Sequence, residues 1–286
     1  MGVPPFGASP GAACLRQDQD MPTPALDAPR IASLVPSVTE LLFALGLGPW
    51  VVARTGFCIH PREAVAAVPK VGGTKDVKLE ALRALAPTHV IVNVDENEWP
   101  TVQALRSFVP EVIVTHPCAP EDNLALYEQM AQAFGHLPGV RARADTLSAR
   151  LRDALVSVDR AGPWPGRRVL YVIWREPWMT VARDTYISRL LACVNWQTWP
   201  DVAGGPHGAA RYPVFDWGEV QRAGVDLVLL SSEPYRFSGR HREEVLARLP
   251  GVRVLLVDGE MLSWYGSRAV EGLEYLRALA ASTPAP

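Results

Sequence analysis

The segment VRARADTLSARLRDALVSVDR, residues 140–160, decides the fold. Leu147, Leu151, Leu155 and Val158 recur at helical spacing, no Gly or Pro interrupts them, and charge covers the remaining surface, so the stretch is predicted to be one long helix. AGPWPG at 161–166 stops it. On each side of this helix short apolar strands alternate with helical segments. Before it come IASLV (31–35), WVVART (50–55), HVIVNV (89–94) and EVIVTH (111–116), with helices expected from Ser37, read as an N-cap, to Leu45, and over 78–86, 98–107 and 121–135. After it come RRVLYVIW (167–174), VDLVLLSS (225–232) and VRVLLVDG (252–259). Such alternation predicts an α/β fold of two lobes, each built on a mainly parallel sheet, joined by the long helix. The expected divisions are a disordered leader over 1–29, a first lobe over 30–137, the linking helix within 138–163, and a second lobe over 164–282.

An internal repeat supports the two halves. EALRALAPTHVIVN, from Glu80, lies over EVQRAGVDLVLLS, from Glu219: each opens with Glu, reaches Arg-Ala three places on, and passes from a short helix into a buried strand. Composition narrows the function. The chain of 286 residues has 48% apolar and 20% charged residues with a net charge of -2, which gives no global bias toward nucleic acid or membrane insertion. Cys14, Cys58, Cys118 and Cys193 stand far apart with no CxxC spacing, so neither a disulfide framework nor a structural zinc is signalled. The Pro-, Gly- and Ala-rich N-terminus lacks the apolar run of an export signal, and the chain as written is expected to stay in the cytoplasm.

Two α/β lobes on a stiff helix leave a cleft, and ligands of open α/β sheets collect beyond the carboxyl ends of the strands. The first lobe places Phe57, Cys58 and His60, then Asp95 and Glu96, then His116 and Cys118 at such ends, with Thr74 and Lys75 nearby in VGGTKD. The second supplies Trp174, Arg175 and Trp178, then Glu233, Tyr235 and Phe237, then Trp264, Tyr265 and Arg268, with Arg211 and Tyr212 from ARYP. Aromatic faces suit a flat or ring-bearing ligand, and arginines suit its anionic groups.

The pattern RIASLVPSVTELLFALGLG (30–48), VVARTGFCIHP (51–61) and VGGTKDVKLEALRALAPTHVIVN (71–93), followed by the lone helix and a second α/β lobe, resembles the periplasmic binding proteins of ABC importers for cobalamin, haem and iron-siderophores. The cobalamin-binding branch looks closest. The resemblance implies a class III, helical-backbone architecture that holds a metal chelate between its lobes, a cobalamin or other corrinoid or a ferric chelate. It also implies that Glu80 and Glu219 meet the importer's membrane subunits, and it sets the chain against a family that is periplasmic or lipid-anchored. Phe57 fits one aromatic position expected around a corrin, whereas Thr74 and Asn93 fall at two others. The second lobe, heavier in Trp, Tyr and Arg, suits a negatively charged chelate or a differently oriented corrinoid.

Two other chemistries are open on the residues alone. Cys58 and His60 are candidate metal ligands. A cytoplasmic metal- or corrinoid-handling protein or enzyme would use Cys58, His60 and Glu96. No GxSxG elbow, GxGxxG loop or Walker loop supports catalysis, and binding without a catalytic cofactor is the expectation.

Overall fold

The computed structural model describes residues 28–283. The expected leader lies outside these residues except for its last two positions, and so does Cys14.

The first lobe runs β1 (Ile31–Ser33), α1 (Pro36–Ala44), β2 (Val51–Arg54), α2 (Arg62–Val65), α3 (Leu79–Ala84), β3 (His89–Asn93), α4 (Trp99–Leu105), β4 (Glu111–Thr115) and α5 (Asp122–Phe134). The long helix α6 (Val140–Arg160) follows. The second lobe runs β5 (Arg167–Val172), α7 (Tyr186–Ala192), β6 (Trp196–Thr198), α8 (Trp217–Ala223), β7 (Leu227–Ser231), α9 (Gly239–Arg248), β8 (Arg253–Val257), α10 (Gly259–Ser263) and α11 (Ala269–Ala281). All strands pair in parallel, in the orders β2-β1-β3-β4 and β6-β5-β7-β8. One topology is used twice. The repeated units from Glu80 and Glu219 end in β3 and β7, which hold equivalent places in the two sheets.

The central strands read as unbroken apolar runs because helices cover both of their faces, and β7 is buried at every residue, whereas the edge strands β4 and β8 leave Val114 and Leu256 exposed. Three details differ from the sequence reading. The N-cap of α1 is Val35 and Pro36 opens the helix, so Ser37 is a buried helical residue rather than a cap. On α6 the buried stripe is Val140, Ala144, Leu147, Leu151, Ala154 and Val158, with Leu155 half-buried at its edge. The edge strand β6, Trp-Gln-Thr, is too short to show an alternation.

Helix α6 packs on α5 of the first lobe and α11 of the second. At about 1.5 Å per residue it spans roughly 30 Å, enough to back both lobes. Its large apolar side chains each contribute about 2 kcal/mol by leaving water. One apolar cluster consequently runs from Leu41 and Phe134 through Leu147 and Leu151 to Leu229 and Leu273, binding the inner faces of both sheets into a single core. The outer faces have separate clusters, around Val90 and Leu105 in the first lobe and around Leu170 and Trp217 in the second. Rigid backing of this kind leaves the loops at the strand ends as the place where the lobes meet.

Candidate functional site

The lobes touch through the loops that follow their strands and through one glycine. Gly266, at φ +80°, lies against α1 so closely that a Cβ would stand 3.2 Å from the Ser37 carbonyl oxygen. Its N–H donates to Asn123 Oδ1 at 2.6 Å and its carbonyl accepts from the Tyr127 hydroxyl at 2.8 Å, so a segment of the second lobe is fastened to α5 of the first.

Ion pairs close two flanks of the interface. On one, Asp95 beyond β3 meets Arg211 at 2.9 Å, His116 at 3.5 Å and the Tyr212 hydroxyl at 3.2 Å. Arg211 also donates to the Gly205 carbonyl at 2.8 Å and lies 3.4 Å from Cys118 Sγ; it is only 1% exposed. Burial pushes the Asp95 carboxyl up, but the His116 hydrogen bond and the Arg211 charge outweigh it, and the net direction is down. On the other flank Arg268 grips Glu40 of α1 bidentately at 2.6 and 2.9 Å and donates to Glu260 at 2.6 Å, with its guanidinium 4.9 Å from the Trp264 ring centroid. His60 reaches the same Glu260 at 3.1 Å. A hollow of about 530 Å³ borders this network, walled by Phe43, Pro61, Leu147, Met261 and Arg268.

Between the flanks two carboxyls approach from opposite lobes. Glu96 accepts from the Tyr265 hydroxyl at 2.8 Å, and Glu233 accepts from Trp264 Nε1 at 2.6 Å and Ser263 Oγ at 2.8 Å. They therefore rest on consecutive residues of one loop. Burial, added to the charges of Glu233 and Asp95, pushes Glu96 up to about 7 against the Tyr265 hydrogen bond. Glu233 is raised too, first by burial, then by Glu260 and Asp258.

The aromatic residues divide. Phe57 and Trp174, one on each lobe, are 62% and 40% exposed, an unusual state for such large apolar side chains at strand ends. Trp174 stands edge-on to Tyr235, with ring centroids 5.7 Å apart. Trp178 and Phe237 belong instead to the outer core of the second lobe: they stack at 5.9 Å, and Trp178 meets Trp217 edge-on at 5.0 Å. Both were expected against a ligand, and in the structure they pack on each other and on Trp217. Arg175 turns to Glu176 at 2.9 Å and Glu244 at 3.3 Å. All three arginines expected to meet anionic ligand groups are thus engaged with carboxylates of the protein.

The remaining expected residues fall as follows. Asn93 is buried and organises the turn after β3: its Nδ2 donates to the Thr115 carbonyl at 3.0 Å and its Oδ1 accepts from the Asp95 N–H at 2.8 Å. The Thr74 carbonyl accepts from Asn97 at 2.8 Å, and Lys75 pairs with Glu98 at 3.2 Å. Cys58 is 0% exposed, 3.1 Å from Thr55 Oγ1, and burial pushes its thiol up. Cys58 and His60, expected as metal ligands, have different neighbours: Cys58 Sγ lies against Thr55 and His60 against Glu260, and among the described residues no group of three His, Cys, Asp or Glu side chains is set to hold a metal ion. Cys58, His60 and Glu96 have three different hydrogen-bond partners, Thr55, Glu260 and Tyr265. Glu80 and Glu219 are exposed, each in the first turn of its helix, α3 or α8. Glu40 and Glu260 were missed by the sequence reading. Glu260 carries a usable signal, its place just beyond β8, whereas Glu40 is an ordinary helical position.

The profile of the periplasmic binding protein family matches residues 31–253. A vitamin B12-binding protein of Photorhabdus laumondii is 24% identical over 196 residues, covering 68% of this chain and 66% of the relative. Another, of Vibrio parahaemolyticus, is 31% identical over 103 residues, 36% of this chain and 37% of the relative. The matched region is thus just under two thirds of the first relative's length and little more than a third of the second's. Among solved structures, the periplasmic vitamin B12-binding protein of Vibrio cholerae superposes with a TM-score of 0.73 at 19% identity, over 90% of this chain and 99% of that one. The periplasmic haem-binding protein of Roseiflexus sp. RS-1 gives 0.69 at 22% identity, over 89% and 98%. These likenesses show the shared two-lobed fold.

Proposed function

Because the chain belongs to the periplasmic binding protein family, we propose that it is the substrate-binding component of an ABC importer and that it holds a metal chelate, a corrinoid, haem or ferric chelate, between its lobes. The relatives named as vitamin B12- and haem-binding proteins support this class of ligand. The observation that carries the reading is the pair of exposed aromatics, Phe57 and Trp174, one from each lobe, on the loops that follow β2 and β5. A flat macrocycle entering there covers apolar surface that water otherwise meets. Tyr235 supports Trp174 from the second lobe. The two exposed glutamates, Glu80 and Glu219, occupy equivalent helices of the repeat and are the points at which cationic side chains of the membrane subunits would dock.

Absorbance titration of the purified protein with cyanocobalamin, haemin and a ferric siderophore tests the reading. Saturable one-to-one binding of one of them is expected. Failure of all three to bind below the millimolar range would overturn it.

A further inference from the structure

The contact between the lobes carries an arrangement of charge that the family reading does not assign. Glu96 from the first lobe and Glu233 from the second are both half-buried, and both are held by the loop at 263–265. Neither has a Lys, Arg or His at ion-pair distance among the described residues. The cation that acts on Glu96 is Lys75, already paired with Glu98. Asp95, the next residue, adds negative charge, though its own carboxylate is met by Arg211. Glu260 and Asp258, both acidic, raise Glu233, though Glu260 is itself met by Arg268 and His60. The guanidiniums that would welcome an anion are committed elsewhere: Arg211 to Asp95, Arg268 to Glu40 and Glu260, Arg175 to Glu176 and Glu244.

A ligand entering between the lobes therefore meets half-buried acceptor oxygens that have no cation at ion-pair distance among the described residues. A carboxylate brought there adds a third negative group to two that already repel, at an effective dielectric well below that of water. A primary amide or an ammonium group supplies donors to the same oxygens. Both outcomes depend on charge and donor chemistry rather than on ring shape.

We propose that Glu96 and Glu233 act together as a specificity-determining pair that selects a chelate whose periphery presents N–H donors, such as side-chain amides, and discriminates against one whose periphery presents carboxylates. This rests on the reading of the cleft as a chelate-binding site and narrows its substrate class. It also revises the expectation of an arginine-lined cleft for an anionic chelate.

The test uses matched probes that differ only in the peripheral group: cyanocobalamin against the monocarboxylates made by mild hydrolysis of its side-chain amides, and haemin against its bis-amide. Affinities are measured at pH 8.0 on the full chain and on the variant Glu96→Gln/Glu233→Gln, which keeps one acceptor oxygen on each side chain, turns the other into an N–H donor and removes the charge. In whichever pair binds, the amide member is expected to bind on the order of tenfold more tightly, and the double variant is expected to shrink that ratio to about two. Lowering the pH to 5.5 is expected to shrink the ratio in the parent protein, as the pair takes up protons, by more than in the variant, where only His60 beside Glu260 and His116 beside Asp95 change charge. Equal binding of amide and carboxylate members by the parent, or an undiminished ratio in a folded double variant, overturns the proposal while leaving chelate binding intact. Binding of none of the four probes overturns the proposal, and the reading of a chelate site falls with it when the ferric siderophore also fails to bind.

Discussion

Replacing Glu96 by Gln isolates one buried charge while keeping its shape and its hydrogen bond from Tyr265. Burial and the facing Glu233 push the Glu96 carboxyl from 4.5 up to about 7, so the folded protein holds a proton that the unfolded chain has released. Between these two values the native state binds more protons than the unfolded state, and stability falls as pH rises. A carboxyl moved that far has cost roughly 3 kcal/mol of folding free energy once pH exceeds 7, whereas below 4.5 both states are protonated and nothing is lost. Coupling to Glu233 spreads part of this loss over a second carboxyl, so roughly 3 kcal/mol is the upper bound for Glu96 alone. Urea denaturation of parent and Glu96→Gln at pH 4.5, 5.5, 6.5 and 8.0 measures it. The curves should nearly coincide at pH 4.5 and separate progressively, with the variant more stable by about 2–3 kcal/mol at pH 8.0. A gap that stays constant with pH, or a variant less stable than the parent at pH 8.0, would refute the reasoning.

The other perturbations act on the interface, the backing helix and the ligand surface. Gly266→Ala forces a Cβ toward the Ser37 carbonyl oxygen at a left-handed backbone position, and thermal unfolding should register a loss of about 1–3 kcal/mol. Arg268→Met leaves Glu40 and Glu260 without their shared cation; calorimetry should show a loss of about 2–4 kcal/mol, smaller in the triple variant that also carries Glu40→Gln and Glu260→Gln. Leu151→Ala empties a fully buried site on α6 and should cost about 3 kcal/mol in urea unfolding, with both lobes unfolding in one transition because they share that core. Phe57→Ala and Trp174→Ala remove exposed side chains, so they should weaken chelate binding about tenfold each by equilibrium titration while moving the unfolding midpoint by no more than a degree or two.

Much of the fold was legible because it rests on period and punctuation. The apolar spacing of 140–160, free of Gly and Pro, marks α6 without reference to anything else, and the repeat from Glu80 and Glu219 anticipates that the two sheets share one strand order. The apolar runs at 89–94 and 225–232 likewise had to be covered strands. Strand β6 escaped because three residues carry no period, and Ser37 was misread because a Ser beside Pro36 resembles a cap until the chain direction at Val35 is known. Position beyond a strand told which side chains lie near the cleft, but not where each one turns. Trp178 and Phe237 stack into the outer core, and Arg175, Arg211 and Arg268 find carboxylates that are up to 228 residues away in sequence. Partners of that kind are set by tertiary approach, which a local pattern does not encode. The charge of the cleft had to be read from the structure for the same reason.

Hydrogen exchange with and without saturating chelate, cyanocobalamin or haemin according to which binds more tightly, addresses the central claim that a ligand is held between two lobes braced by α6. Amides in the loops near 56–60 and 93–97 of the first lobe, and near 174–180, 233–237 and 263–268 of the second, should gain protection together, while α6 and the outer helices stay unchanged. Protection confined to one lobe, or appearing only on the outer faces of the sheets, would contradict it.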